Sequence, residues 1–348
     1  MKISVLTHPP MKNYGGILQA KALSAALEQL GHDVMILNGP YEKISGHKQI
    51  FNKFKCLIGL NKEKKYHQLK HFVQNQLPLS KIWHGKEMPD CDCIVVGSDQ
   101  VWRPAYTHFP GAYFLDFVPT GKKLKRIAYA ASFGVDNWEF TQEQTSEFGK
   151  LLKKFDAVSV RETSGIPLCR EHWNVVAVQM PDPTLLHEWD FYQKIASAET
   201  CDYPEKSYVF TYFLDNTTQK AELAKSFAEK TGLTLYNFLS SNKKATLRPI
   251  EKFLNGISNA KFVLTDSFHG MVFSMLSGVP FAVAGNKKRG LTRFELMKNA
   301  GLSEALLNEN QSLEQCLFLL KNTDYFATAK DFLIQERLRG RNFLKENL

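Results

Sequence analysis

The six cysteines, Cys56, Cys91, Cys93, Cys169, Cys201 and Cys316, include no C-x-x-C pair and form no regular framework. That excludes a disulfide-stapled scaffold and a thioredoxin-like redox centre, and the expected state is reduced thiols in a cytoplasmic chain. No apolar run approaches the ~20 residues that span a bilayer, so membrane contact is expected only at the periphery, on the inner face. The opening MKISVLTHPP reads as a strand followed by prolines and lacks the pattern of a secretion signal. There is no H-E-x-x-H motif, and Asp90 and Asp92 flank cysteines on a strand edge, so no metal site is expected. G-x-G-x-x-G is missing too, which disfavours nicotinamide or flavin, and no organic cofactor is expected. Internal repeats and low-complexity segments are also lacking.

What the 348 residues do have is a cationic surplus, 44 Lys plus Arg against 35 Asp plus Glu, for a net charge of +9. Such a surplus favours an anionic partner: a phosphorylated metabolite, an acidic glycan, a lipid surface or nucleic acid. An apolar share of 44% and a charged share of 23% are those of a folded globular protein. The length suits two domains.

Short apolar runs alternate with longer periodic segments. Ile3 to Leu6, Val34 to Leu37, Cys93 to Val96, Arg126 to Ala131, Ala157 to Val160 and Val175 to Val178 read as strands. Helices are expected from Gly16 to Leu30 and from Glu143 to Phe155. After the turn-rich MPDPT a second round begins, with strands Tyr208 to Phe213, Thr234 to Phe238, Phe262 to Thr265 and Phe281 to Ala284. The expected organisation is therefore α/β, with one Rossmann-like domain over 1–182, a second over 183–324 and a C-terminal helix over 325–348. Two open sheets in succession predict a cleft walled by the carboxyl ends of their strands. A basic insert is expected at 41–80. From Lys43 to Lys70 it holds eight lysines against the single acid Glu63. With Phe51, Phe54 and Ile58 on one helical side, it reads either as a solvated surface segment or as an interfacial helix beside anionic lipid.

Four strand-end motifs carry candidate chemistry. NYGGILQA contributes Asn13, Tyr14, Gly15, Gly16 and Gln19, where paired glycines admit close backbone approach and a helix start offers N–H groups. A ligand-free turn would look the same. GSDQVW contributes Ser98, Asp99, Gln100 and Trp102, able to hydrogen-bond hydroxyls and stack on a sugar; equally, Asp99 could cap the turn and Trp102 sit in the core. AASFG ends another strand with Ser132. In SVRE, Arg161 suits bidentate capture of carboxylate or phosphate, or else an ordinary salt bridge to Glu162. In VLTDSFHG, Asp266 or Ser267 caps a helix whose first turn holds His269, either a core histidine or, with a bound dianion favouring the protonated ring, a proton donor. Lys287, Lys288 and Arg289 follow a later strand as a solvated loop or a phosphate contact.

Taken in order, NYGGILQA, GSDQVW, AASFG, FDAVSVRE, DPTLL and TDSFHG make the chain resemble the polysaccharide pyruvyl transferase family from Met1 to about Leu302. The resemblance implies a GT-B-like fold of two Rossmann-like domains with a C-terminal helix returning to the first. It also implies transfer of a three-carbon unit from phosphoenolpyruvate, a co-substrate, onto two hydroxyls of a sugar in a surface or capsular polysaccharide precursor. A cyclic pyruvate ketal forms and phosphate is released. The family histidine matches His269, the arginine matches Arg161, and the later basic residue matches Lys288 or Lys287. Where many members carry arginine two residues before the histidine, this chain has Ser267. On that basis His269 is the expected acid and Asp99 the group orienting or deprotonating the acceptor. Arg161, Ser267, Lys287, Lys288 and Arg289 are expected on the donor. Asn13, Tyr14, Gly15, Gly16, Gln19, Ser98, Gln100, Trp102 and Ser132 are expected on an acceptor that is lipid-linked or nucleotide-linked. The rival is a GT-B glycosyltransferase using a nucleotide sugar. A nucleic-acid-binding protein is disfavoured, because no basic stripe is interleaved with stacking aromatics.

Overall fold

Cys93–Gly97 is buried at every residue, which suits only a central strand of a sheet covered on both faces. The computed structural model describes residues 1–41, 63–200, 202–242, 245–285, 294–308 and 312–348. Lys287, Lys288 and Arg289 lie outside the described residues, as does the lysine-rich stretch up to residue 62. The described chain divides into two compact units, Met1–Pro183 with Asn242–Arg248 and Phe343–Leu348, and Thr184–Ser241 with Pro249–Asn342.

In the first unit the elements run β1 (Lys2–Leu6), α1 (Tyr14–Gln29), β2 (Asp33–Asn38), α2 (Glu63–Gln76), β3 (Leu79–Ile82), β4 (Cys93–Gly97), β5 (Lys125–Ala131), α3 (Gln142–Leu152), β6 (Ala157–Val160), α4 (Gly165–Trp173) and β7 (Val178–Gln179). The seven strands are parallel, in the order β3-β2-β1-β4-β5-β6-β7. The chain travels outward from β1 to β3, then returns to lay β4 on the other side of β1, pairing Leu6 with Val96. This reversal is the switch point, where open α/β sheets leave a crevice at the carboxyl ends of their strands. The part of the expected insert from residue 63 onward is no appendage: it supplies α2, which buries Leu69, Phe72 and Val73, and the edge strand β3.

The second unit runs α5 (Trp189–Ala196), β8 (Tyr208–Tyr212), α6 (Thr218–Thr231), β9 (Thr234–Asn237), α7 (Ile250–Ser258), β10 (Phe262–Thr265), α8 (Phe268–Ser277), β11 (Phe281–Val283), α9 (Glu295–Asn299), α10 (Ser312–Lys321) and α11 (Ala329–Asn347). Its four parallel strands lie in the order β11-β10-β8-β9, so the switch point falls between β8 and β10. α11 is fastened in this unit by Arg337, 2.6 Å from Glu188, and by Arg341, whose Nε donates to the Leu186 carbonyl at 2.8 Å. The chain end, Phe343–Leu348, groups with the first unit, where Lys125 Nζ donates to the Leu348 carbonyl at 3.1 Å.

Candidate functional site

At the first unit's switch point Thr7 and His8 follow β1, Ser98, Asp99 and Gln100 follow β4, and α1 begins just after the β1 end. Asn13 is the N-cap of α1, its side chain accepting from Gly16 N. A Cβ on Gly16 would stand 3.0 Å from Asn13 Oδ1, so a larger residue there would push the capping side chain aside by a few tenths of an ångström. Tyr14 is buried and donates its hydroxyl to the Arg248 carbonyl at 2.8 Å. Gln19 is buried and donates Nε2 to Thr7 Oγ1 and the Gly16 carbonyl at 3.0 and 3.1 Å, while its Oε1 has no partner among the described residues. Thr7 in turn donates to the Ser98 carbonyl at 3.0 Å, joining the ends of β1 and β4.

Gly97 (φ +146°) turns the chain where a Cβ would run into the Tyr129 carbonyl. Asp99 follows at φ +68°, a left-handed conformation costly for a non-glycine and met mostly at sites where structure enforces it. Its half-buried carboxylate accepts from Gln100 N at 2.9 Å, as in a capped turn. His8 Nε2 lies 2.9 Å from the Gln100 carbonyl, which can only accept, so Nε2 carries the proton. That leaves Nδ1 to take the Tyr113 hydroxyl at 3.2 Å. Burial first, and then the charge of Asp99, pushes the Tyr113 phenol up from its ordinary value.

Further along the same sheet edge, β5, β6 and β7 end in one buried polar network. Arg161 donates Nε and Nη2 to Glu162 Oε1 at 3.1 and 3.0 Å, Nη1 to Asp182 Oδ2 at 3.2 Å, and Nη2 to Ser132 Oγ at 3.0 Å. Ser132 Oγ donates to Glu162 Oε1, and Ser98 Oγ reaches the Ala130 carbonyl at 3.0 Å and Asp182 Oδ2 at 3.4 Å. Burial opposes the charge of Arg161, but Glu162 and Asp182 outweigh it and hold the guanidinium cationic. Its charge is thus matched by two carboxylates inside the fold. Among the described residues, buried Glu162 Oε2 has no hydrogen-bond partner.

The structure brings Asn13, Tyr14, Gly15, Gly16, Gln19, Ser98, Asp99, Gln100, Ser132 and Arg161 to one edge of one sheet. Trp102 leaves that edge. It is 1% exposed, stacked on Phe114 at 5.5 Å, and its Nε1 donates to the Tyr113 carbonyl at 3.3 Å. The indole is a core side chain and offers no face to a sugar, because Phe114, Phe133 and Trp173 crowd around it.

In the second unit Ser267 is the N-cap of α8, its Oγ accepting from Gly270 N at 3.3 Å, and His269 is the second residue of the helix, partly exposed. Asp266, fully buried, does not cap this helix: Oδ1 accepts from Leu214 N at 2.6 Å, and Oδ2 from Asp215 N at 3.0 Å and Lys220 Nζ at 2.7 Å. It therefore fixes the turn after β8 to the end of β10. Sequence reading missed Thr7, His8, Tyr113, Asp182 and Lys220. The first two follow directly from β1 and could have been found by asking what each strand delivers at its carboxyl end, whereas nothing local marks Lys220. His67 and His71 stand one turn apart on α2, both exposed. Among the described residues no three or more His, Cys, Asp or Glu are grouped to hold a metal ion. No described helix is long and apolar enough to cross a membrane.

No curated protein matches the chain by sequence. Among solved structures, UDP-GlcNAc 2-epimerase from Neisseria meningitidis is similar with TM-score 0.54 at 11% identity, covering 100% of this chain and 99% of that one. UDP-GlcNAc 2-epimerase from Methanocaldococcus jannaschii gives 0.53 at 16%, covering 92% and 93%. The kitacinnamycin glycosyltransferase gives 0.50 at 12%, covering 100% and 99%. These likenesses establish the fold: two Rossmann-like units and a C-terminal helix, as in GT-B enzymes. Specificity beyond the fold comes from a family model that matches residues 13–288, a span running from the Asn13 cap through the Arg161 network and past His269. On that match, covering well over half of its length, the chain belongs to the polysaccharide pyruvyl transferase family.

Proposed function

We propose that this transferase moves the enolpyruvyl-derived unit of phosphoenolpyruvate onto two hydroxyls of a sugar acceptor, closing a pyruvate ketal and releasing phosphate. The observation that carries the reading is the family match across both strand-end sites. The acceptor is assigned to the first unit, whose switch point gathers amide, hydroxyl and carboxylate groups suited to sugar hydroxyls. The donor is assigned to the second, at the start of α8.

The chemistry follows from charge flow. His269 gives a proton to the methylene carbon of phosphoenolpyruvate, leaving an oxocarbenium-like centre at C2. A first sugar hydroxyl adds there and its proton passes to Asp99. The C2–O bond to phosphate breaks, the phosphate leaving with a proton, and the second hydroxyl closes the ring on C2. One hydroxyl proton thus replaces the one His269 gave, and the other accompanies phosphate. Ser267, Lys287, Lys288 and Arg289 are assigned to the donor's anionic groups, stabilising charge as it develops. Arg161, already matched by Glu162 and Asp182, contributes by orienting those carboxylates and Ser132 more than by net charge. The acceptor is a polysaccharide precursor, lipid-linked or nucleotide-linked, met at the inner face of the membrane.

Donor choice separates this reading from a nucleotide-sugar glycosyltransferase on the same fold. Thermal unfolding should shift upward with millimolar phosphoenolpyruvate and not with UDP or GDP sugars. The reverse pattern overturns the reading.

A further inference from the structure

Beyond Gln100 the chain leaves the switch point as a loop in which successive turns are hydrogen-bonded. Arg103 N donates to the Gln100 carbonyl, Tyr106 N to that of Arg103, Thr107 N to that of Pro104, and Phe109 N to Thr107 Oγ1. Within this loop Arg103 is clamped. Its Nε and Nη2 donate to Glu139 Oε2 and Oε1 at 3.2 and 3.3 Å, and Nη1 donates to Gln100 Oε1 at 3.2 Å. The pair is shielded, with side chains 12% and 24% exposed, which favours the bidentate geometry over a solvent-screened one. The fixed guanidinium lies against the ring of Tyr106, 4.5 Å from its centroid. Tyr106 is nonetheless 51% exposed. A single exposed aromatic ring is ordinary on a protein surface and is usually free to change rotamer. Here the ring is pre-ordered by a guanidinium that is itself fully engaged, and Gln100 ties the ledge to the switch point.

We propose that Tyr106, carried on Arg103, is a stacking platform for a pyranose ring of the acceptor glycan, one that flanks the sugar receiving the ketal. The assignment rests on placing the acceptor in the first unit. A pyranose has an apolar face of C–H groups and a rim of hydroxyls. The Tyr106 ring meets the face, and Glu139 and Gln100 supply acceptors at its edge. Stacking tolerates different sugars, so the ledge adds affinity for a chain over a single ring without dictating which sugar is modified. Because the ring is already ordered, binding forfeits little side-chain entropy.

The test titrates the full-length protein with gluco-, manno- and galacto-oligosaccharide ladders, each from monosaccharide to pentasaccharide, by saturation-transfer NMR and calorimetry. At least one ladder is expected to tighten with length in wild type. Tyr106→Ala should lose about fivefold on its longest member, a loss of the size of one aromatic stacking contact. Tyr106→Phe should restore the length dependence, and the monosaccharide should show none of the loss. Three outcomes overturn the proposal: no ladder tightening with length, Tyr106→Ala matching wild type throughout, or an equal loss on the monosaccharide. The thermal shift with phosphoenolpyruvate reports on the donor separately. A protein blind to phosphoenolpyruvate whose ladder still depends on Tyr106 would sink the pyruvyl reading and leave the platform standing.

Discussion

A guanidinium at a strand end reads, in sequence, as an anion clamp or as half of an ion pair, and Arg161 is held by Glu162 and Asp182. Removing one member of a buried network strands the others. Asp182→Ala should therefore cost about 3–5 kcal/mol in urea unfolding, whereas breaking the solvent-exposed pair Lys2–Asp90 should leave the urea midpoint essentially where it is. Trp102→Ala should also cost about 3–5 kcal/mol through its cavity, and Trp102→Phe should keep turnover per folded molecule, since the indole packs in the core. A Trp102→Phe variant that folds normally but loses acceptor binding would put the indole back in the site. Buried thiols add a pH signature. Burial pushes Cys93, Cys169 and Cys316 up to about 12 from 9.0. Their folded values exceed the unfolded one, so their contribution to stability is whole below about pH 9 and is lost as pH climbs toward 12. Iodoacetamide labelling mapped by mass spectrometry should leave these three untouched at neutral pH until denaturant is added.

Among the elements, the start of α8 is where the donor chemistry is proposed, and its placement depends on Asp266 and Lys220. Asp266→Ala leaves Leu214 N, Asp215 N and Lys220 Nζ without that acceptor, and should lower stability by about 3–5 kcal/mol. Lys220→Met should cost less, because two backbone bonds still hold the carboxylate. Unfolding of both variants and their double mutant gives the coupling; additive losses would mean the pair does not act as a unit. The central strands were legible because each is a short apolar run, as in CIVVG and FVLT. β3 was not, since LSKI is a half-exposed edge with no alternation. α7 was legible in principle: Ile250, Phe253, Leu254 and Ile257 sit at helical spacing and are all buried. The first unit's site was legible wherever a motif directly follows a strand. The pairing of Arg161 with Glu162 was legible from their adjacency, but Ser132 and Asp182 come from strand ends 29 and 21 residues away, and only the sheet order makes them neighbours.

At the scale of the whole molecule, the surplus of +9 is unevenly spread, with +7 of it between Lys43 and Lys70. If that stretch carries the protein to an anionic membrane, replacing Lys48, Lys53, Lys55 and Lys62 with Gln should abolish salt-sensitive binding to phosphatidylglycerol vesicles. It should not alter turnover of a soluble acceptor. Vesicle binding unchanged by the four substitutions would make the stretch a solvated surface segment. The fold itself is shared with epimerases and glycosyltransferases, so architecture cannot choose the reaction; the proposed reaction rests on the family match, and the role proposed for His269 follows from it. The most direct measurement incubates wild type and His269→Gln with phosphoenolpyruvate and a panel of lipid-linked and nucleotide-linked sugars. Phosphate release is followed alongside the acceptor's mass. Wild type should release one phosphate for each acceptor that gains a pyruvate ketal, and His269→Gln, folded as judged by its melting temperature, should do neither. Phosphate release and ketal formation at near wild-type rate in His269→Gln, or a wild type that transfers sugar from a nucleotide donor and leaves phosphoenolpyruvate intact, would contradict the account.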